Sequence, residues 1–331
     1  MKPRAYLLML FVVAVWGSTF VLIKGALADA TPAAFNLVRM TLAFLVLATA
    51  YHRADRAFWR GIRRWQLAAG ALVGLCLALG YQFQTTGLAR TTPSKSAFIT
   101  GLVVVLVPLF SAIPGLRPPA ARAPRWNAFL GAALAFAGIL LLTAPAAVNP
   151  TRPTSALGSF AALRSFAALG SVAALLPDLS SINIGDLLTF GCAIGFAFHC
   201  IALSHISPRI GFRPLAVLQV GFCAVFMALS LPLIEHPHIH WTLRLVIALA
   251  IAAVLATAAA FSIQSWAQSV LPPTHTALLL TLEPVFAWIT SFLIMGERLG
   301  LRPASGALLI LAGIALTELV PQPHVPTAHE A

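Results

Sequence analysis

Charge is what this chain has least of. Among 331 residues only nine are Asp or Glu, and all charged types together make up 9%. A soluble domain carries roughly 25% charged residues, so a soluble enzyme or binding domain is excluded. Cysteine is almost as scarce. Cys76, Cys192, Cys200 and Cys223 lie inside apolar runs without metal-ligand or paired-loop spacing, so they pack as small hydrophobes and say nothing about redox compartment. Catalytic signatures are missing too: there is no Walker A loop, no His-Glu-x-x-His, no Gly-x-Ser-x-Gly and no close carboxylate pair within an apolar run. Neither ATP hydrolysis nor an intramembrane enzyme is expected, and no cofactor or metal is called for. The net charge of +12 comes without a basic stripe interleaved with aromatics, which excludes nucleic acid as a partner.

What the chain does have is apolar runs of membrane-spanning length, in keeping with 60% hydrophobic residues. Lys2 and Arg4 precede an uncharged run from Ala5 to Ile23, longer than a signal-peptide core, so it is expected to stay as the first membrane helix. Further spans are expected at Pro32 to Tyr51, Gln66 to Thr86, Pro93 to Ile113 and Trp126 to Thr143. A second set follows at Gly185 to Ser204, Pro214 to Ile234, Leu243 to Ala267, Pro273 to Met295 and Pro303 to Val320. Between the sets, the slurred repeat GSFAALRSFAALGSVAALL is too diluted to count as a span. It reads as an inter-half loop over residues 146–182, with an interfacial helix at Phe160 to Leu176. The division is therefore residues 1–145, the loop, residues 183–320, and a disordered tail at 321–331. Lys and Arg concentrate in the amino-terminal-side loops, most densely at Arg53, Arg56, Arg60, Arg63 and Arg64, which places both termini in the cytoplasm.

The two sets of five resemble each other. GAALAFAGILLLT from Gly131 and GALLILAGIALT from Gly306 both carry glycines seven residues apart, and Pro108 and Pro284 lie at nearly equal distances upstream. A five-span unit repeated in tandem gives halves of opposite orientation, the plan of an inverted-repeat transporter. TTPSKSAFITGLVVVLVPLF from Thr91, LEPVFAWITSFLIMGERL from Leu282, Trp16-Gly17, Arg39 after Pro32, and Gly185-Asp186 together resemble the EamA-type permeases of the drug/metabolite transporter superfamily. That resemblance implies an all-α integral membrane protein of ten transmembrane helices in two inverted five-helix repeats. It also implies movement of a small metabolite across the bacterial inner membrane, often outward. The chain departs from the pattern in its long inter-half loop, in lacking a first-half counterpart of Glu297, and in Pro114 near the end of the fourth span.

Candidate site residues are polar groups stranded in apolar runs. Glu283, followed by Pro284, is the sharpest. An ionisable group near the membrane centre costs roughly 2.5 to 3.5 kcal/mol on insertion scales, so it faces a bundle interior, a partner or a wet cavity. It could bind an amine, exchange a proton, or hydrogen-bond a neighbouring helix beside the Pro284 bend. Arg39 either faces the cavity and attracts an anion or reaches the membrane surface and a carboxylate. Trp16, Tyr81, Gln82, His199, Gln219, Gln264 and Gln268 complete the substrate-binding set; each alone is explained by interhelical hydrogen bonding, but as a set they fit a hydrated cavity. Gly131, Ala135, Gly138, Gly306 and Gly313 are assigned to close helix packing. The alternate histidines of Glu235 to His240 read as a solvated loop rather than a metal site, with Trp241 at the interface. The expected activity is secondary transport of an amino acid or related amphipathic compound, outward, by alternating access. The alternative is a non-transporting scaffold or sensor. Besides substrate and lipid bilayer, protons are the candidate coupling ion and a homodimer the candidate assembly.

Overall fold

The structure is a computed structural model that describes residues 2–54, 61–117, 124–143, 183–210, 212–268 and 279–319. The 146–182 loop, its expected interfacial helix and the 321–331 tail lie outside the described residues. In the first half the helices are α1 (Lys2–Ala26), α2 (Pro32–Ala54), α3 (Arg64–Leu88), α4 (Pro93–Thr100), α5 (Val103–Phe110) and α6 (Trp126–Thr143). The second half holds α7 (Ile184–Ile210), α8 (Phe212–Ile234), α9 (Leu243–Ala250), a π-helical stretch (Ile251–Ala259), α10 (Ala260–Gln268), α11 (Glu283–Met295) and α12 (Leu301–Leu319).

Among the described residues, seven segments are long and apolar enough to cross a membrane, α4–α5 and α9–α10 each counting as one, and three shorter apolar helices accompany them. That accounts for ten spans, five per half. Side-chain caps start several of them. Thr92 accepts the Lys95 N–H at 3.4 Å ahead of Pro93, and Thr242 accepts the Leu245 N–H at 3.2 Å. Gly296 closes α11 with φ of 67°, a left-handed conformation that glycine takes without a Cβ clash.

Two spans differ from the continuous runs expected. The fourth is broken at Gly101–Leu102 and stops at Phe110, with Pro114 in the turn that follows rather than in the helix. The ninth turns at Thr281–Leu282, and α11 begins at Glu283. The cause is Pro284, which sits in the first helical turn, where a missing N–H costs no intrahelical bond. Glu283 is therefore at a helix start, not mid-helix.

Packing partners exchange when the halves are swapped. α6 packs on α12 and α2 on α8, each pair joining equivalent helices. The α3–α7 contact is mirrored by α1 with α9–α10, and α1–α11 by α7 with α4–α5. Pseudo-two-fold packing with an odd number of spans per half is the arrangement expected of an inverted repeat. The tightest joint, α6 against α12, rests on reciprocal glycines. A Cβ on Gly138 would lie 2.6 Å from the Gly306 carbonyl oxygen, and a Cβ on Gly306 2.6 Å from that of Gly138. Asn127 reinforces it by donating to the Thr317 carbonyl at 3.1 Å.

Candidate functional site

Where the halves meet, the bundle holds a cavity with about 190 Å³ of free space, room for roughly half a dozen waters or one small metabolite. Its walls are mostly apolar and aromatic, with Phe20, Phe196 and Phe261 among them. Six of the nine candidate residues converge there: Trp16 from α1, Arg39 from α2, Tyr81 from α3, His199 from α7, Gln264 from α10 and Glu283 from α11. Gln219 stands behind the wall, bonded to His199 Nε2 at 2.8 Å, and holds that ring in place. Gln82 accepts from Asn36 Nδ2 at 2.9 Å and lies between α2 and α3, off the cavity. The side chain of Gln268 lies outside the described residues.

Arg39 is 2% exposed and turned inward, so it does not reach for the membrane surface. Its Nε donates to Thr257 Oγ1 at 3.1 Å, its Nη2 to Tyr81 Oη at 3.4 Å, and the guanidinium lies 4.5 Å from the Tyr81 ring centre. A cation over an aromatic face gains roughly 0.5 to 2 kcal/mol. Phe196 meets the same ring edge-on, with centroids 5.1 Å apart. Glu283 faces the cavity from the start of α11, where helix N–H groups favour a negative charge. No ion pair joins it to Arg39; the two recorded among the described residues are Lys95–Asp186 and Arg244–Asp29.

Several residues that matter here escaped sequence reading. Asn36 organises the α2–α3 seam: its Nδ2 donates to the Tyr81 carbonyl at 3.0 Å, and its Oδ1 accepts from Thr85 at 2.9 Å. It lies three residues before Arg39 on the same helical face, a signal that was available. Thr257 lies in an unremarkable Ala-rich run and gave none. The π turn around it lets Thr257 donate to the Ala252 carbonyl five residues back at 2.7 Å, while the Ala256 carbonyl accepts from Trp16 Nε1 at 2.7 Å.

Towards the end of α1, the cavity-lining Phe20, Ile23 and Leu88 join Phe35, Ala97 and Leu245 in an apolar layer. Beyond it, four carboxylates each tie one half to the other. Asp29 Oδ2 accepts from Arg244 Nε at 2.8 Å and Thr242 Oγ1 at 2.7 Å, and these bonds, Arg244's first, hold its carboxyl below the usual range. Glu235 Oε1 accepts the Ala33 and Ala34 N–H groups at 2.9 and 3.0 Å, capping α2. Asp186 accepts from Thr91 and lies 3.8 Å from Lys95 Nζ; Glu297 accepts from Ser94 Oγ at 2.7 Å and from Ser291. The stretch from Glu235 to His240 is solvated as expected, with His236, Pro237, His238 and His240 exposed, and it is also a structural clasp. The Thr31 N–H donates to the His238 carbonyl at 2.9 Å and Ile239 pairs with Ala30.

Comparisons with known proteins agree with this architecture. The model of the EamA-like transporter family matches residues 3–144 and 183–319. Two proteins of Archaeoglobus fulgidus, each described as an uncharacterized transporter, are similar along nearly the whole chain. One is 28% identical, covering 92% of this chain and 82% of its own length; the other is 23% identical, covering 96% and 98%. A solved structure titled only "Crystal structure of protein" shares the fold with a TM-score of 0.56 at 18% identity, covering 96% of this chain and 98% of its own. A helical membrane bundle built from two matching halves, with relatives named as transporters along its length, belongs to the EamA-like transporter family and is a multi-pass membrane transporter, not an enzyme.

Proposed function

We propose that the chain is a secondary transporter that exports a small metabolite, an amino acid or related amphipathic compound, across the bacterial inner membrane by alternating access. The observation that carries this reading is the cavity between the halves, which Glu283 and Arg39 both line without pairing. Opposite charges held apart in an aromatic-walled space suit a molecule with a polar group at each end and an apolar body. Trp16, Tyr81, His199 and Gln264 line its path, with Gln82 and Gln219 in support. One half rocks against the other around this point. Glu283 exchanges a proton with the passage during the cycle, which makes protons the coupling ion. Both termini lie in the cytoplasm, in keeping with the Lys and Arg bias, so the clasped face is the outer one. A scaffold or sensor would have no use for an apolar cavity into which two opposite charges are set.

The test is flux of labelled metabolites in proteoliposomes, comparing the wild type with Glu283→Gln inserted normally. Transport, or its dependence on pH, is lost in the variant if the reading is right. Full activity across pH removes Glu283 from the mechanism. Reporter fusions at residues 60 and 160 should report opposite compartments, and agreement between them would overturn the orientation.

A further inference from the structure

Arg39 is a cation without a counter-ion. It is 2% exposed, deep in a bundle where an unpaired charge is costly, and its two recorded acceptors are neutral hydroxyls, those of Thr257 and Tyr81. Both bonds use one edge of the guanidinium, Nε and Nη2. The other edge, Nη1 with the second N–H of Nη2, has no hydrogen-bond partner among the described residues, and Arg39 lines the cavity. A planar pair of donors left free in this way matches the two oxygens of a carboxylate.

The fold fixes the guanidinium for that purpose. Thr257 is fully buried, and it both accepts from Arg39 Nε and donates to the Ala252 carbonyl. It reaches this position because α9 and α10 are joined by a π-helical stretch, a rare distortion frequent at functional sites. The same stretch receives the Trp16 indole N–H on the Ala256 carbonyl. One irregular segment thereby anchors two cavity side chains that come from two other helices, α1 and α2.

We propose that the free edge of Arg39 is a carboxylate subsite, that Thr257 and Tyr81 are its positioning residues, and that the cargo carries a carboxylate at the end bound there. The inference rests on reading the cavity as the transport site and adds the chemical class of the cargo. A single arginine fits a monoanion; a phosphate dianion would call for a second cation, and no other Arg or Lys lines this cavity among the described residues. Glu283, on a different helix and not paired with Arg39, is then left for the opposite end of the molecule or for a proton.

The experiment reads binding, not flux. Purified full-length protein is melted in the presence of benzoate or of benzamide, its uncharged isostere, at matched ionic strength. Benzoate should raise the melting temperature and benzamide should not. Arg39→Gln should abolish the benzoate shift, and Arg39→Lys, which keeps the charge but loses the fork, should shrink it. Thr257→Val should weaken benzoate affinity about tenfold while Thr257→Ser restores it, a pattern that a packing role for Thr257 would not produce. The proposal is overturned if benzamide stabilises as well as benzoate, if no shift occurs with benzoate, or if folded Arg39→Gln keeps the shift. Failure of the transport reading would look different: benzoate would bind in an Arg39-dependent way, yet vesicles would carry no labelled carboxylate.

Discussion

The two halves share a frame but not a lining. Equivalent helices pack against each other, and the glycines of α6 and α12 meet reciprocally. The chemistry on that frame is unequal. Arg39 stands seven residues into α2, whereas Gln219, seven residues into α8, is neutral and turned to His199. α3 is regular throughout, while its counterpart α9–α10 contains the π stretch that holds Arg39 and Trp16. The fourth and ninth spans are both interrupted. The break in the fourth is followed by cavity-lining Val103 and Val104; the break in the ninth is followed by Glu283. A symmetric scaffold can rock about its own axis, and an asymmetric lining can hold a substrate in one orientation.

The equality of the frame can be broken first by the glycines. Gly138→Leu and Gly306→Leu both force side-chain carbons into a facing carbonyl, and each should destabilise by about 1 to 3 kcal/mol or more. Thermal melting of the purified variants should give similar losses. A loss at only one site would show that the α6–α12 joint is not shared equally.

A smaller effect is expected on the clasped face. Glu235→Ala leaves the Ala33 and Ala34 N–H groups without their carboxylate and should cost about 1 kcal/mol, as for loss of a helix cap. Melting temperature again reads it. No change would mean that the clasp does not hold α2.

The smallest effect is a dependence on acid. The Arg244 and Thr242 hydrogen bonds hold the Asp29 carboxyl lower in the folded protein than in the unfolded chain. Its contribution to stability is therefore complete above the unfolded value, near 3.9, and is lost as the pH falls through the lower folded one. Melting temperature should fall at the acid end in the wild type and less steeply in Asp29→Asn, with little pH dependence from this group above about pH 5. Parallel acid profiles would remove Asp29 from the clasp's energetics.

Most of the frame was legible because membrane spans announce themselves by length and the repeated glycines mark the joint between halves. Interior polar groups were legible for a related reason: a charge such as Glu283 or Arg39 stands out against hydrocarbon. Partnerships were not. Asp29 and Arg244 are 215 residues apart, and only the fold brings them together. The sequence IAAVLATAA shows nothing that distinguishes a π turn from an α-helix, because the choice is made by what Trp16 and Arg39 require of its carbonyls and hydroxyl. Gln82 and Gln219 passed as cavity residues because composition tells which residues lie in a span but not which way they face.

The central claim is that Arg39 and Glu283, brought to one cavity by two unlike halves, form the transport site. Flux of carboxylate-bearing metabolites into proteoliposomes containing wild type, Arg39→Gln or Glu283→Gln, at equal protein density, tests it most directly. The account predicts uptake by the wild type and a drop of roughly a hundredfold in each variant, about 2.7 kcal/mol. Wild-type flux in folded Arg39→Gln, or wild-type flux across pH in folded Glu283→Gln, would contradict it.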